Sequence, residues 1–292
     1  MTVEIREIPL VEPGVGPYGI TAGPDGALWL TLVHAGGIAR LSPDGAVRTY
    51  ALDPAGGRPL IITVGPDGAL WFTRSGDDRI GRITVDGEQR TIDLPAGTGP
   101  GGIAAGPDGA LWYAGMSADT IGRVETDGTH NAFPLPVTGG FPSMITAGAD
   151  EALWFTFNQA NAIGRIDLDG GVTLRPLPTA NAGPVGIALG DDGAIWFVEI
   201  GAGQLGRIDP DGEIVEFPLP DRAARPHAVV ADPEGGAWFT EWGANRIGHL
   251  DPTGRFEGYA LPTPNAEPHG ITRTPTGIWA ALETGAIAHL PL

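Results

Sequence analysis

Seven tryptophans recur through this chain at intervals of 41 or 42 residues: Trp29, Trp71, Trp112, Trp154, Trp196, Trp238 and Trp279. Seven prolines (Pro17, Pro59, Pro100, Pro142, Pro184, Pro226 and Pro268) keep the same interval, each leading its tryptophan by about a dozen residues. A repeat of this length belongs to propellers, whose blades are four-stranded sheets. The chain is therefore predicted to be all-β, a seven-bladed propeller of four-stranded antiparallel blades, with residues 1–292 forming a single domain.

The unit that begins at Pro184 shows how four strands arise. Pro-Val-Gly-Ile-Ala-Leu is followed by Asp191-Asp192-Gly193, then by Ala-Ile-Trp-Phe-Val-Glu, Leu-Gly-Arg-Ile, Asp211-Gly212 and Ile-Val-Glu-Phe-Pro-Leu. The Asp-Gly pairs suit hairpin turns that need positive φ, and the short alternating apolar runs suit half-buried strands A to D. The 47 glycines and 28 prolines recur in phase with these turns, so they punctuate order rather than mark low complexity. The seventh unit ends at Ile287-Ala-His-Leu-Pro-Leu, one strand short, while residues 3–10 match the D pattern. The N-terminal strand is thus predicted to complete blade seven, closing the ring and removing open sheet edges.

The formal charge of −18, with no lysine, excludes nucleic acid and anionic membranes as natural partners, since both are bound through cationic side chains. A small-molecule ligand or a cation is easier to hold. There is no cysteine, and neither a signal-like segment nor a membrane-length apolar run is present. A cytoplasmic monomer is expected.

A repeat separates scaffold from site, because each position is sampled seven times. The tryptophans occupy every blade and fit packing between blades. Arg40, Arg82, Arg123, Arg165 and Arg207 share one strand-C position with His249 and His289, which reads as structural. His130 lies in a C–D turn, and His34 lies in a B–C loop with nothing beside it in sequence to support a role. Trp242 falls outside the tryptophan register, in the blade-six B–C loop, and is a candidate for stacking on a ligand.

The residue after each strand-A proline is Tyr18, Leu60, Gly101, Ser143, Val185, His227 and His269. The scaffold imposes no type there, and ring closure makes blades six, seven and one neighbours. Tyr18, His227 and His269 are therefore expected side by side near the central channel. Glu267 in a D–A loop and Glu283 at a B–C loop share their face and blade, because both kinds of connection leave an antiparallel blade at the same end. Two carboxylates with open positions suit Mg²⁺, and a neighbouring neutral imidazole suits a general base. There is no nucleophile elbow, phosphate loop, zinc-protease helix or dinucleotide fingerprint.

Pro17-Tyr18-Gly19-Ile20, Arg225-Pro226-His227-Ala228, Trp238-Phe-Thr-Glu-Trp-Gly-Ala-Asn-Arg-Ile-Gly248, Glu267-Pro268-His269-Gly270-Ile271 and Glu283 together resemble the virginiamycin B lyase (streptogramin B lyase) family, across all seven repeats. The resemblance implies a Mg²⁺-dependent enzyme that opens the ester linkage of cyclic depsipeptide antibiotics by elimination. It also implies roles: His269 as proton acceptor, Glu267 and Glu283 as metal ligands, His227 as a substrate contact and Tyr18 as a further one. Blade three (Trp112-Tyr-Ala-Gly-Met116) and blade one (Trp29-Leu-Thr-Leu-Val33) depart from the Trp-Phe-Thr-Glu tendency and alter the funnel wall. A non-catalytic binding propeller and a metal-dependent lactone hydrolase are the other readings; the second would need a fuller set of Asn and Asp ligands near the axis.

Overall fold

A computed structural model describes residues 4–10 and 12–292. It contains seven four-stranded antiparallel sheets, arranged as a seven-bladed propeller. The only helical element among the described residues is a 3-10 turn at Ala55–Gly57, and no helix is long and apolar enough to cross a membrane. Blade one is typical, with strands A to D at Pro17–Ala22, Leu28–Leu32, Gly37–Leu41 and Val47–Ala51. In this blade strand B is buried along its whole length, whereas strand D is largely exposed and forms the outer edge.

The ring closes as expected. Arg6–Pro9 forms the outer strand of blade seven beside Ala286–Pro291, with Arg6 opposite His289 and Pro9 opposite Ala286. Val3, the first residue of the predicted segment, lies outside the described residues.

Sequence explains what holds each blade. In blade one the Trp29 indole donates to Asp25 Oδ1 at 3.1 Å, and Arg40 donates to Asp25 Oδ2 at 2.7 Å with its guanidinium over the indole. Asp67–Trp71–Arg82, Asp108–Trp112–Arg123 and Asp150–Trp154–Arg165 repeat the two hydrogen bonds. His249 takes the arginine's place in blade six, stacked 4.0 Å from Trp238 and bonded to Asp232, and His289 stacks 3.9 Å from Trp279. Both histidines are structural, as their register implies. Truncating one of these buried tryptophans to alanine would cost roughly 3–5 kcal/mol.

Strand A carries the feature that builds the site. In every blade its pairing with strand B slips between the proline and the residue three positions on. Such a bulge re-aims side chains. The residue directly after the proline, the position of Tyr18, His227 and His269, sits inside it. The ladder bond lost there is replaced in four blades by a strand-B threonine. Thr240, for example, accepts from Ala228 N–H at 3.0 Å and donates to the His269 carbonyl of the next blade at 2.8 Å. Thr31, Thr73 and Thr156 make the same pair of bonds.

Candidate active site

The rim around the strand-A bulges obeys one rule. Each residue before a strand-A proline has left-handed backbone: Gly16, Arg58, Gly99, Phe141, Gly183, Arg225 and Glu267 have φ between 43° and 68°. In each blade its carbonyl accepts from the B–C loop residue four positions after the tryptophan; in blade seven Glu283 N–H reaches Ala266 O at 3.1 Å and Glu267 O at 3.3 Å. Glycine adopts this conformation freely, whereas other residues are held there at a cost of roughly 1–3 kcal/mol and cluster at functional sites. Glu267, at φ 51°, is one of the four that are not glycine.

The two loops of blade seven thereby bring together what the sequence placed on one face. Ligand atoms of Glu267, His269 and Glu283 all lie within 4.8 Å of one another. His269 is buried, and its Nε2 is 2.6 Å from Glu283 Oε2. The Glu267 carboxylate makes no hydrogen bond or ion pair with a side chain among the described residues. Two half-buried carboxylates beside an imidazole, one of them without a partner and held on strained backbone, form a donor set that fits a hard divalent cation.

Tyr18, His227 and His269 converge as predicted. The Tyr18 ring lies 4.5 Å from His269 and 5.7 Å from His227 between centroids, and the two histidines are 5.0 Å apart. The Tyr18 hydroxyl and His227 Nε2 are 3.3 Å apart. Burial, followed by the negative charge of Glu283, pushes the Tyr18 phenol up to about 12, so it keeps its proton. Desolvation, reinforced by His269, pushes His227 down to about 3, so its ring is neutral. Nδ1 of both histidines is sealed from solvent without a partner. Burial alone would raise Glu283, but hydrogen bonds from His34 and His269 hold its carboxylate below the ordinary range.

Three contributors were not singled out in the sequence. His34 reaches Glu283 Oε1 from blade one at 2.6 Å. Asn245 Oδ1 accepts from Ala266 N–H at 2.7 Å while its amide donates to Thr263 O, shaping the loop that carries Glu267. Thr240 anchors both histidine-bearing strands. Trp242, by contrast, carries the Arg225 guanidinium 5.2 Å above its ring, and its indole N–H is buried without a partner.

The sequence model of the Virginiamycin B lyase family matches residues 3–290. The chain belongs to the virginiamycin B lyase family. A curated virginiamycin B lyase from Saccharopolyspora erythraea is 67% identical over 52 residues, a stretch spanning 18% of this chain and 17% of that relative. The crystal structure of selenomethionine-substituted virginiamycin B lyase from Staphylococcus aureus covers 99% of both chains, with 43% identity and a TM-score of 0.96. A catalytically inactive histidine-to-alanine variant of that Staphylococcus aureus lyase, with quinupristin, superposes equally well, at 43% identity, 99% of both chains and a TM-score of 0.96. The Glu267–His269–Glu283 cluster is thus carried on a fold shared, blade for blade, with a virginiamycin B lyase.

Proposed function

We propose that this chain is a Mg²⁺-dependent carbon–oxygen lyase that linearises type B streptogramins, cyclic depsipeptides closed by a threonyl ester. The observation that carries the reading is the meeting of Glu267, His269 and Glu283 within 4.8 Å, beside Tyr18 and His227, in a member of the virginiamycin B lyase family. The inactivity of a histidine-to-alanine variant of the Staphylococcus aureus relative further supports an essential histidine.

Glu267 and Glu283 would hold the ion; bound Mg²⁺ would supply Lewis-acid stabilisation of negative charge developing on the ester-bearing residue's carbonyl oxygen. His269 accepts the α-proton of the threonyl residue on Nε2, in the tautomer that carries its own proton on Nδ1 and leaves the Nε2 lone pair free once Glu283 is engaged with the ion. The C–H electrons become the Cα–Cβ double bond, the Cβ–O bond breaks, and the carboxylate leaves with its electron pair. Tyr18 and neutral His227 present hydrogen-bonding groups that orient the substrate without adding charge. No covalent nucleophile is needed. Every participating side chain comes from one chain, so a monomer is the proposed working form.

The test is mass spectrometry of quinupristin incubated with the protein and Mg²⁺. Elimination opens the ring at unchanged mass, and chelation stops it. A product heavier by one water would replace the lyase by a hydrolase, and an intact ring would remove the reading.

A further inference from the structure

The seven bulge positions around the channel mouth divide into two arcs. Tyr18, His227 and His269 form the polar arc. Leu60, Gly101, Ser143 and Val185 form the other, and together with Tyr18 they line a cavity of about 270 Å³ on the same face. Its walls are completed chiefly by Met116 and Phe141 from the rim. Tyr18 belongs to both halves: it faces this cavity and packs against His269, ring centroids 4.5 Å apart at a 30° tilt.

Phe141 is the feature with no scaffold explanation. Blades one, three and five carry glycine at its rim position, yet Phe141 holds φ 55° and, among the described residues, is the one aromatic among the large apolar side chains left exposed, at 36%. Its loop is clamped there: Gly139, Gly140 and Phe141 N–H all donate to the Asp119 carboxylate at 2.6–3.1 Å. The clamp itself belongs to the scaffold, since Asp78 holds Gly97 and Gly99 N–H in the same way one blade earlier; what this blade adds is an apolar ring presented to water at the mouth, a contact surface rather than packing. Met116 is related. Its side chain lies where a Cβ on Gly101 would sit, 2.8 Å from both Cγ and Sδ, so the glycine at that bulge makes room for the thioether.

Resting on the lyase reading, we propose that Phe141, Met116 and Val185, with the Tyr18 ring, form an apolar subsite that receives one aromatic-sized side chain of the depsipeptide, and that Phe141 is a specificity-determining residue. An apolar cavity of about 150 Å³ already admits a benzene ring, so the space takes one such group but not two. Seating it against Tyr18 places the rest of the substrate ring over His269 and the acidic pair.

The repeat supplies substitutions that the scaffold tolerates. Phe141→Gly restores the residue of three other blades, and Met116→Ser restores Ser75 of blade two. The probe is quinupristin, and two measurements are made. In the active enzyme, each change should lower kcat/KM at least about fivefold, chiefly through KM, as expected when binding common to ground and transition states is lost. In a His269→Ala background, where no turnover is required, each should weaken the equilibrium Kd of quinupristin by a similar factor. Mg²⁺ affinity and thermal unfolding should match the parent. A Kd within twofold of the parent, or no measurable binding by the parent itself, overturns the subsite. A wild type that binds quinupristin tightly but leaves it intact would count against the lyase reading alone, with the Kd comparison still deciding the subsite.

Discussion

His34 Nε2 lies 2.6 Å from Glu283 Oε1, while His269 Nε2 lies 2.6 Å from the other oxygen of the same carboxylate. One glutamate is thus gripped by imidazoles from two blades. His34 is nearly half exposed, so the contact adds little to folding, and its value is in fixing where Glu283 points. Replacing His34 with alanine should weaken Mg²⁺ binding roughly tenfold, the low end for residues that orient a metal ligand, with thermal unfolding unchanged. Calorimetric titration with Mg²⁺ measures it; an affinity within twofold of wild type would show the contact to be idle.

Removing His269 and His227 should leave different kinetic traces. If His269 is the proton acceptor, as proposed, His269→Ala should cost about 10²-fold or more in kcat. If His227 orients the substrate, as proposed, His227→Ala should raise KM as well as lower kcat, because binding and alignment are lost together. Steady-state linearisation of quinupristin separates them, and an active His269→Ala enzyme would place the base elsewhere.

Thr240 and Thr73 make equivalent paired bonds in blades six and two. Valine at either position leaves a backbone donor and acceptor unpaired, at about 1–3 kcal/mol. Both variants should therefore lose similar thermal stability, whereas only Thr240→Val, which frees the His269 carbonyl, should also lose turnover. Equal losses of turnover would mean that the threonines serve the ring alone.

Two buried groups should tilt stability with pH in opposite senses. His227 is pushed down to about 3, mainly by desolvation. The unfolded chain therefore binds more protons between that value and the ordinary 6.5, and stability falls as pH drops through this window. Glu199 is pushed up to about 7, mainly by burial, with Gln204 opposing and Glu216 adding to the rise. Its folded form holds the extra proton, so the stability it contributes is present below the ordinary carboxylate range and lost as pH rises through 7. Melting curves from pH 4 to 8 should show His227→Gln flattening the acid side and Glu199→Gln raising the midpoint near pH 8 but not near pH 5.

The ring was legible in the sequence because tryptophan, proline and turn glycines report one unit seven times over. Tyr18, His227, His269, Glu267 and Glu283 were legible as departures from that unit, and the structure brings them to one mouth. His34 was not: its partner lies 249 positions away, and only the tilt of two loops across the closure joins them. Phe141 carried a signal in the register before the proline, where three blades show glycine, but a glycine-preferring site is informative only once its backbone is known to be left-handed. Asn245 and Thr240 use their side chains to hold backbone groups of neighbouring segments, and although Thr240 recurs as Thr31, Thr73 and Thr156, the recurrence does not say which carbonyl each one holds.

Blade seven takes three strands from residues 268–291 and its fourth from Arg6–Pro9. The same blade bears Glu267, His269 and Glu283. As the chain leaves the ribosome, its first strand must wait unpaired while six blades form, and the acidic pair emerges only with the last. The cluster proposed to hold Mg²⁺ therefore sits in the blade that is completed last, where the two ends of the chain meet. If Mg²⁺ binds at the mouth as proposed, it would favour the closed ring over open ones, because a ligand held by the folded state alone stabilises that state.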